Sequence, residues 1–377
     1  MQTLTPVEHV KRRREMYFGC ACISEPGEWV GENSVVKTGT VNKGLQKLFD
    51  ELFANAGDWT PAGAKIRVTY DPDTGRFCIE NPTGIRVHLM EDGETWSVEA
   101  AFSKLNTGTN FDDKVQRTRG GLNGVGAKLC VIFASFFEVL TKCPDTGVVY
   151  RQLWRDQLND VGQPHVHRKS RSKIPKEQRA RLRYFDDLPP RFKGTRISFV
   201  PKYERFGELS DLRASLYAYV RRRCFEIAAT RHVKVFLNGQ PTVCRDMRDM
   251  AKLYAGPESK PVVISGTQWS GNRQAAAADN GGENRWEAAV VPKIEGLKHS
   301  MSFVNGIHTS EGGTHVLEYS KIFSKVAEAM STRTEKITTA FVKQNCDLFL
   351  SCVVENPRFS NQSKQKLVSK RSAWGSV

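Results

Sequence analysis

Disulfides, membrane spans and export signals have the least support in this sequence. Nine cysteines are spread over 377 residues, only Cys20 and Cys22 lie close together, and no CxxC or Cys/His spacing suited to zinc occurs. A disulfide framework is therefore excluded, and a reducing compartment is expected. No apolar run reaches the ~20 residues of a membrane-spanning helix. The segment from Glu8 to Arg14 is charged where a signal peptide would carry its apolar core. No internal repeat is evident. Acidic residues are also short of basic ones: 41 Asp+Glu against 56 Lys+Arg leave a net charge of +15. Such a surplus attracts polyanions, nucleic acid first.

The surplus is concentrated. Arg168, Lys169, Arg171, Lys173, Lys176, Arg179, Arg181 and Arg183 face the single acid Glu177, and Lys364, Lys366, Lys370 and Arg371 form a second cluster. Pattern divides the chain in two. From 1 to 245, helical periodicity at 41–58, 97–105, 126–137 and 208–229 alternates with strand-like runs. Those runs are Lys65–Tyr70, Phe77–Ile79, Phe137–Thr141, Thr195–Val200 and Val233–Leu237. That order predicts an α+β fold with helices on one face of a mixed, largely antiparallel sheet. Residues 255–285 read as a surface excursion rich in turn formers. From 246 to 377, strands at Trp286–Val291, Ser302–Asn305 and Asp347–Val354 join helices around Val316–Met330 and Thr334–Lys343. A second, smaller α+β domain follows.

Two motifs carry chemistry. Leu45, Leu48, Phe49, Leu52, Phe53 and Ala56 recur at helical spacing, and Glu51, Asn55 and Asp58 make a polar stripe beside that seam. A carboxylate can take a proton from water, and a neutral amide oxygen can ligate a hard cation without adding charge near phosphates. A solvated helix face has the same pattern. The second motif is Thr118-Arg119-Gly120-Gly121-Leu122-Asn123-Gly124-Val125-Gly126, which opens into a helix at Ala127-Lys128-Leu129. Glycines permit close backbone approach, and a helix start offers unpaired N–H groups to phosphate. It is not a Walker A loop, because Ala127 separates Gly126 from Lys128 and no Ser or Thr follows.

Together, Glu51…Asn55, Asn81-Pro82-Thr83-Gly84-Ile85 and Gly121 to Lys128 resemble the three boxes of the GHKL (Bergerat) ATPases. Val7-Glu8-His9-Val10 with Met16-Tyr17-Phe18-Gly19, and Leu105 to Asp113, narrow the resemblance to type IIA DNA topoisomerases of the eukaryotic and viral kind. So do Ser302-Phe303-Val304-Asn305, Thr309-Ser310-Glu311-Gly312-Gly313-Thr314-His315 and Glu355 to Lys364. The resemblance covers the chain from about Val7 to the end.

It implies a GHKL ATPase domain over 1–245 and a transducer domain over 246–377, the latter of a fold shared with a small-subunit ribosomal protein. Glu51 would be the general base and Asn55 a ligand of Mg²⁺. Asn81 would sit near adenine, while Gly108, Thr109 and Asn110 would contact ribose and phosphate. Gly121, Leu122, Asn123, Gly124, Val125, Gly126, Ala127 and Lys128 would wrap the triphosphate. Gln362 and Lys364 would close on the γ-phosphate from the second domain. The implied cofactors are ATP and Mg²⁺. The implied partners are duplex DNA, a second copy of the chain on ATP binding, and a DNA-cleavage region of the same protein or of a companion subunit, with no membrane. The implied location is intracellular and DNA-associated. A MutL-like or chaperone-like clamp, or a polyanion scaffold without turnover, is the alternative.

Three departures from the family pattern stand out. The box at Asn81-Pro82-Thr83-Gly84 lacks its first glycine and is one residue short. Only seven residues precede Glu8, so the usual N-terminal strap is short and dimerisation is expected to be weak. The transducer lysines that touch DNA are reduced to Arg333 and Lys336, with the run at 168–183 available to replace them. No cleavage machinery is recognisable, so the chain is expected to be a fragment or one piece of a split enzyme.

Overall fold

The computed structural model describes residues 3–18, 28–32, 35–39, 42–105, 125–167, 192–207, 209–266, 286–295, 297, 301–361 and 363–370. Thr5 and Glu8 form a capping box that starts α1 (Pro6–Arg12), and α2 (Arg14–Phe18) follows. Next come the hairpin β1 (Glu28–Glu32) and β2 (Val35–Gly39), the long α3 (Lys43–Asp58), β3 (Lys65–Asp71), β4 (Arg76–Asn81), α4 (Ser97–Ser103) and α5 (Gly126–Ile132). Then follow β5 (Ala134–Lys142), β6 (Val149–Arg155), β7 (Asp160–Val161), β8 (His165–His167), β9 (Thr195–Pro201), α6 (Leu209–Arg231), β10 (Lys234–Leu237) and β11 (Gln240–Pro241). The remaining elements are α7 (Met247–Ala255), β12 (Val262–Gly266), β13 (Trp286–Pro292), β14 (Met301–Val304), β15 (Ile307–His308), α8 (Thr314–Tyr319), α9 (Ile322–Met330), α10 (Thr339–Asn345) and β16 (Cys346–Cys352).

Strict alternation in β3 buries Ile66, Val68 and Tyr70 and exposes Lys65, Arg67, Thr69 and Asp71, so the sheet has one dry face and one wet face. Among the described residues it runs β11-β10-β3-β4-β9-β5-β6-β7, with β8 also paired to β6; β10 lies parallel to β3 and the other neighbours are antiparallel. Helix α3 lays its apolar seam on the dry face. The Phe49 ring packs 5.0 Å from that of Phe77 and 5.6 Å from that of Phe199. Each such side chain removed from water is worth about 2 kcal/mol before the loss of chain entropy. The second sheet runs β12-β13-β16-β14-β15. Phe225 and Ala229 of α6 share a core with Met247 and Met250 of α7 and with Ala289, Phe303 and Phe349 of that sheet. Helix α6 thus touches both halves of the chain.

Several expectations need correction. The helix at 126–137 stops at Ile132, because Phe137 and Val139 alternate inward as part of β5, which pairs with β9. The helix at 316–330 is two helices with a tightened turn, where Ser320 N–H bonds Val316 O at 2.9 Å and Lys321 N–H bonds Glu318 O at 3.2 Å. The helix at 334–343 begins only at Thr339: Ser331 Oγ accepts the Ile337 N–H at 2.9 Å and closes a turn first. The excursion at 255–285 contains β12, paired along its length with β13. Among the described residues no helix is long and apolar enough to cross a membrane.

Candidate functional site

Asn42 caps α3 by accepting the N–H groups of Gly44 and Leu45, while its amide donates to Phe206 O at 2.7 Å. This fixes the helix rotation, and with it the polar stripe. Lys47 and Glu51, one turn apart, are both buried: Lys47 Nζ lies 2.5 Å from Glu51 Oε1. Lys364, far away in sequence, brings its own Nζ to 3.8 Å from the same oxygen, with side-chain exposures of 8 % and 7 %. Asn55 follows one turn after Glu51 and is half-buried. Asp58 is paired with Arg231 of α6.

The other Glu51 oxygen explains Gly126. A Cβ on that glycine would lie 1.9 Å from Oε2, so the first turn of α5 can sit against the carboxylate only because residue 126 has no side chain. Val125, Gly126 and Ala127 are half-buried there, and Lys128 is buried. Burial pushes the Lys128 ammonium down to about 8. Burial alone would raise Glu51, but Lys364 and then Lys47 outweigh it and hold the carboxyl at about 2. Lys364 is itself lowered by burial, partly offset by Glu51. Glu51 is thus ionised at neutral pH, and two ammonium groups restrain its basicity.

Asn81 ends β4 and is buried; its Nδ2 donates to Thr83 O at 3.3 Å. Thr195 Oγ donates to the same carbonyl at 2.9 Å and lies 2.8 Å from Thr141 Oγ, which accepts the Ile85 N–H at 2.8 Å. A Cβ at Gly84 would meet Lys142 O at 1.7 Å, and one at Gly194 would meet Asn81 O at 2.0 Å. The shortened box is therefore a tight turn wedged between β5 and β9.

The Thr309–His315 signature supports the Lys364 loop. Glu311 N–H bonds Gln365 O at 2.9 Å, Thr314 N–H bonds Leu367 O at 3.1 Å, and Leu367 N–H bonds Gly312 O at 3.0 Å. A Cβ at Gly313 would strike the Leu367 carbonyl at 2.3 Å. His315, fully buried, lies 3.1 Å from Thr309 Oγ, and burial keeps its imidazole neutral down to about 3. Behind the site, Arg223 joins Asp50 at 2.9 Å and also pairs with Glu226. Arg222 links Glu226 to His308 of β15 at 3.1 Å, and Arg231 donates to Asn305 O at 2.6 Å. Ion pairs thus tie α3 to α6, and hydrogen bonds from α6 to His308 and to the Asn305 carbonyl carry the connection to the second sheet.

The structure brings Glu51, Gly126 and Lys364 into contact, with Asn55 one turn after Glu51, Val125, Ala127 and Lys128 flanking Gly126, and Asn81 at the end of the neighbouring β4. Gly108, Thr109, Asn110, Gly121, Leu122, Asn123, Gly124 and Gln362 lie outside the described residues, as does the basic run at 168–183. Arg333 and Lys336 are exposed between α9 and α10. Three participants escaped the sequence: Lys47, though its spacing from Glu51 was visible, and Thr141 and Thr195, which meet only through the β5–β9 register.

Comparison with known proteins gives a consistent result. Residues 248–375 match the family model described as DNA gyrase B. The whole chain aligns at 30% identity over 387 residues with DNA topoisomerase 2 of Candida glabrata, of which it spans 26%; the chain thus spans about a quarter of the curated relatives it matches. Two solved structures superpose over 100% of the chain at a TM-score of 0.78. One is the ATPase and transducer domains of DNA topoisomerase II from Balamuthia mandrillaris, at 29% identity over 91% of that chain. The other is the ATPase region of Saccharomyces cerevisiae topoisomerase II, at 26% identity over 92% of that chain.

Proposed function

The chain belongs to the type IIA DNA topoisomerase family, and from that premise we propose that it is the ATP-binding and ATP-hydrolysing gate of such an enzyme. The observation that carries this is the buried meeting of Glu51 with Lys364 beside Gly126. It joins a general-base candidate, a cation from the second sheet's side of the molecule and a helix start open to close approach. We place the division between the ATPase and transducer domains near residue 245.

In this mechanism Glu51 takes a proton from the attacking water, and Lys47 holds its carboxylate. Lys364 leaves Oε1 for the γ-phosphate, where a compact charge meets the growing negative charge of phosphoryl transfer. Lys128 and the backbone from Gly121 to Gly126 approach the phosphates, Gly108, Thr109, Asn110 and Gln362 complete the nucleotide shell, and Asn81 lies near adenine. Mg²⁺ fits the donor set. Asn55 would supply it one side-chain oxygen, with nucleotide and water oxygens as the other ligands; among the described residues no cluster of three acidic, His or Cys side chains occurs. When bound, it neutralises phosphate charge.

ATP binding would close two chains around duplex DNA inside the cell, with strand cleavage supplied by another region or subunit. A MutL-like or chaperone-like clamp and a scaffold without turnover are not favoured, since the likeness to topoisomerase II runs through both halves of the chain. The test is ATP hydrolysis with and without duplex DNA, on wild type and Glu51→Gln. Stimulation by DNA and a loss of about 10²–10⁴ in the variant are expected. Near wild-type turnover in Glu51→Gln would refute the assignment.

A further inference from the structure

The wet face of the first sheet carries a charge pattern that the nucleotide site does not use. Arg67 of β3, Glu80 of β4, Arg196 of β9, Leu140 of β5 and Arg151 of β6 stand in one cross-strand row. With strands ~4.8 Å apart, the row is roughly 19 Å long. Lys65 and Lys234 pair with each other at its β3 end, and exposed Lys193 precedes β9.

The acid on this row, Glu80, and its neighbour Glu138, two residues from Leu140 on β5, are already engaged. Glu80 is shared between Arg67 at 3.3 Å and Arg196 at 2.8 Å, and Glu138 holds Arg151 at 2.5 Å. Six cations therefore gather around two carboxylates at this end of the sheet, while Asp71 of the same face stands opposite Arg76 at the far end of the β3–β4 pair. Arg196 lies over the Phe192 ring at 5.5 Å and Lys65 over that of Phe236 at 5.7 Å, contacts that hold long side chains in place. Lys65, Arg67, Lys193, Arg196 and Phe192 line one groove, and Glu80 is its one acid. The sequence leading into Phe192, residues 168–191, has nine Lys or Arg against three acids.

We propose that this face of the sheet binds the backbone of duplex DNA, through Lys65, Arg67, Lys193, Arg196 and Lys234. The row is open to solvent: the Arg67 side chain is 59% exposed and that of Arg196 36%. That shape suits an extended polyanion better than a small anion, which needs enclosure. Duplex DNA presents a charge about every 1.7 Å along its axis and gains from counterion release at each phosphate neutralised. The proposal rests on duplex DNA being the partner and adds where the chain holds it, on the opposite face of the sheet from α3 and Glu51.

The experiment measures anisotropy of a labelled duplex of about 30 base pairs, bound by the full chain between about 50 and 200 mM salt. The variant Lys65→Ala/Lys193→Ala is compared with Arg248→Ala/Lys260→Ala, an equal charge change on exposed residues elsewhere. Each lost phosphate contact lowers the salt slope by ~0.9 and, near 0.1 M salt, affinity by about eightfold. The groove variant should lose ten- to sixtyfold in affinity and flatten the slope, with DNA-independent ATP hydrolysis unchanged; the control should lose little. An unchanged groove variant, or equal loss in the control, overturns the proposal. If polyglutamate binds as tightly as the duplex and is weakened by the same variant, the face takes acidic peptides instead. If wild type hydrolyses ATP but binds no duplex, the premise of a DNA partner fails while the ATPase assignment stands.

Discussion

Removing the charge on Glu51 should tighten binding of a nucleoside triphosphate, and should do so more strongly while Lys364 is present. At 3.8 Å and an effective dielectric of about 20, the Lys364–Glu51 attraction is ~4 kcal/mol gross. A γ-phosphate that draws Lys364 to itself must overcome that attraction, so part of it opposes binding of ATP and none of it opposes binding of ADP. Glu51→Gln abolishes the opposing pull and also relieves repulsion between carboxylate and phosphate. The repulsion is relieved whether or not Lys364 is there; the pull is not. If a third of the gross attraction survives the exchange of partners, the coupling is ~1.4 kcal/mol, or about tenfold. The assay is a double-mutant cycle, Glu51→Gln and Lys364→Met singly and together, read by equilibrium binding of a non-hydrolysable ATP analogue and of ADP. Glu51→Gln should tighten the analogue about tenfold more in the wild-type background than in the Lys364→Met background, with no such difference for ADP. Equal tightening in both backgrounds would refute exchange of Lys364 between base and phosphate and leave only repulsion.

Three further outcomes follow from the geometry. Gly126→Ala places a Cβ 1.9 Å from Glu51 Oε2, so the carboxylate must shift by about 1 Å; turnover should fall roughly 10²-fold while the protein stays folded, as steady-state kinetics and circular dichroism would show. Arg231→Met strips the cation from Asp58, 3% exposed, and the donor from the Asn305 carbonyl; denaturant unfolding should report a loss of about 3 kcal/mol, and a loss within error would show that the pair is not needed. Burial keeps the His315 imidazole neutral down to about 3, whereas in the unfolded chain it protonates below about 6.5. The folded pKa is the lower one, so stability is whole above pH 6.5 and is lost as pH falls toward 3. Roughly 2 kcal/mol should disappear between pH 6.5 and 5, and His315→Gln should flatten that slope.

The sequence by itself determined those features that depend on near neighbours. The 3.6-residue recurrence from Leu45 to Ala56 placed α3 and aligned Glu51 with Asn55, since side chains four apart share a helix face whatever surrounds them. The strand-like run Lys65–Tyr70 placed β3, and its alternation is that of the dry and wet faces. Its limits appear where local signals compete: 126–137 has helical composition throughout, yet pairing with β9 turns Ala134 onward into strand. Only the tertiary structure decided that Lys364 reaches Glu51, that Thr141 and Thr195 brace the Asn81 turn, and that Gly126 must lack a side chain. Each of these joins atoms brought together by the β5–β9 register, by the Gly312–Leu367 stitching or by packing of α5 against α3. Such contacts carry no local periodicity, because the energy that selects them comes from burying whole faces rather than from the spacing of residues along the chain.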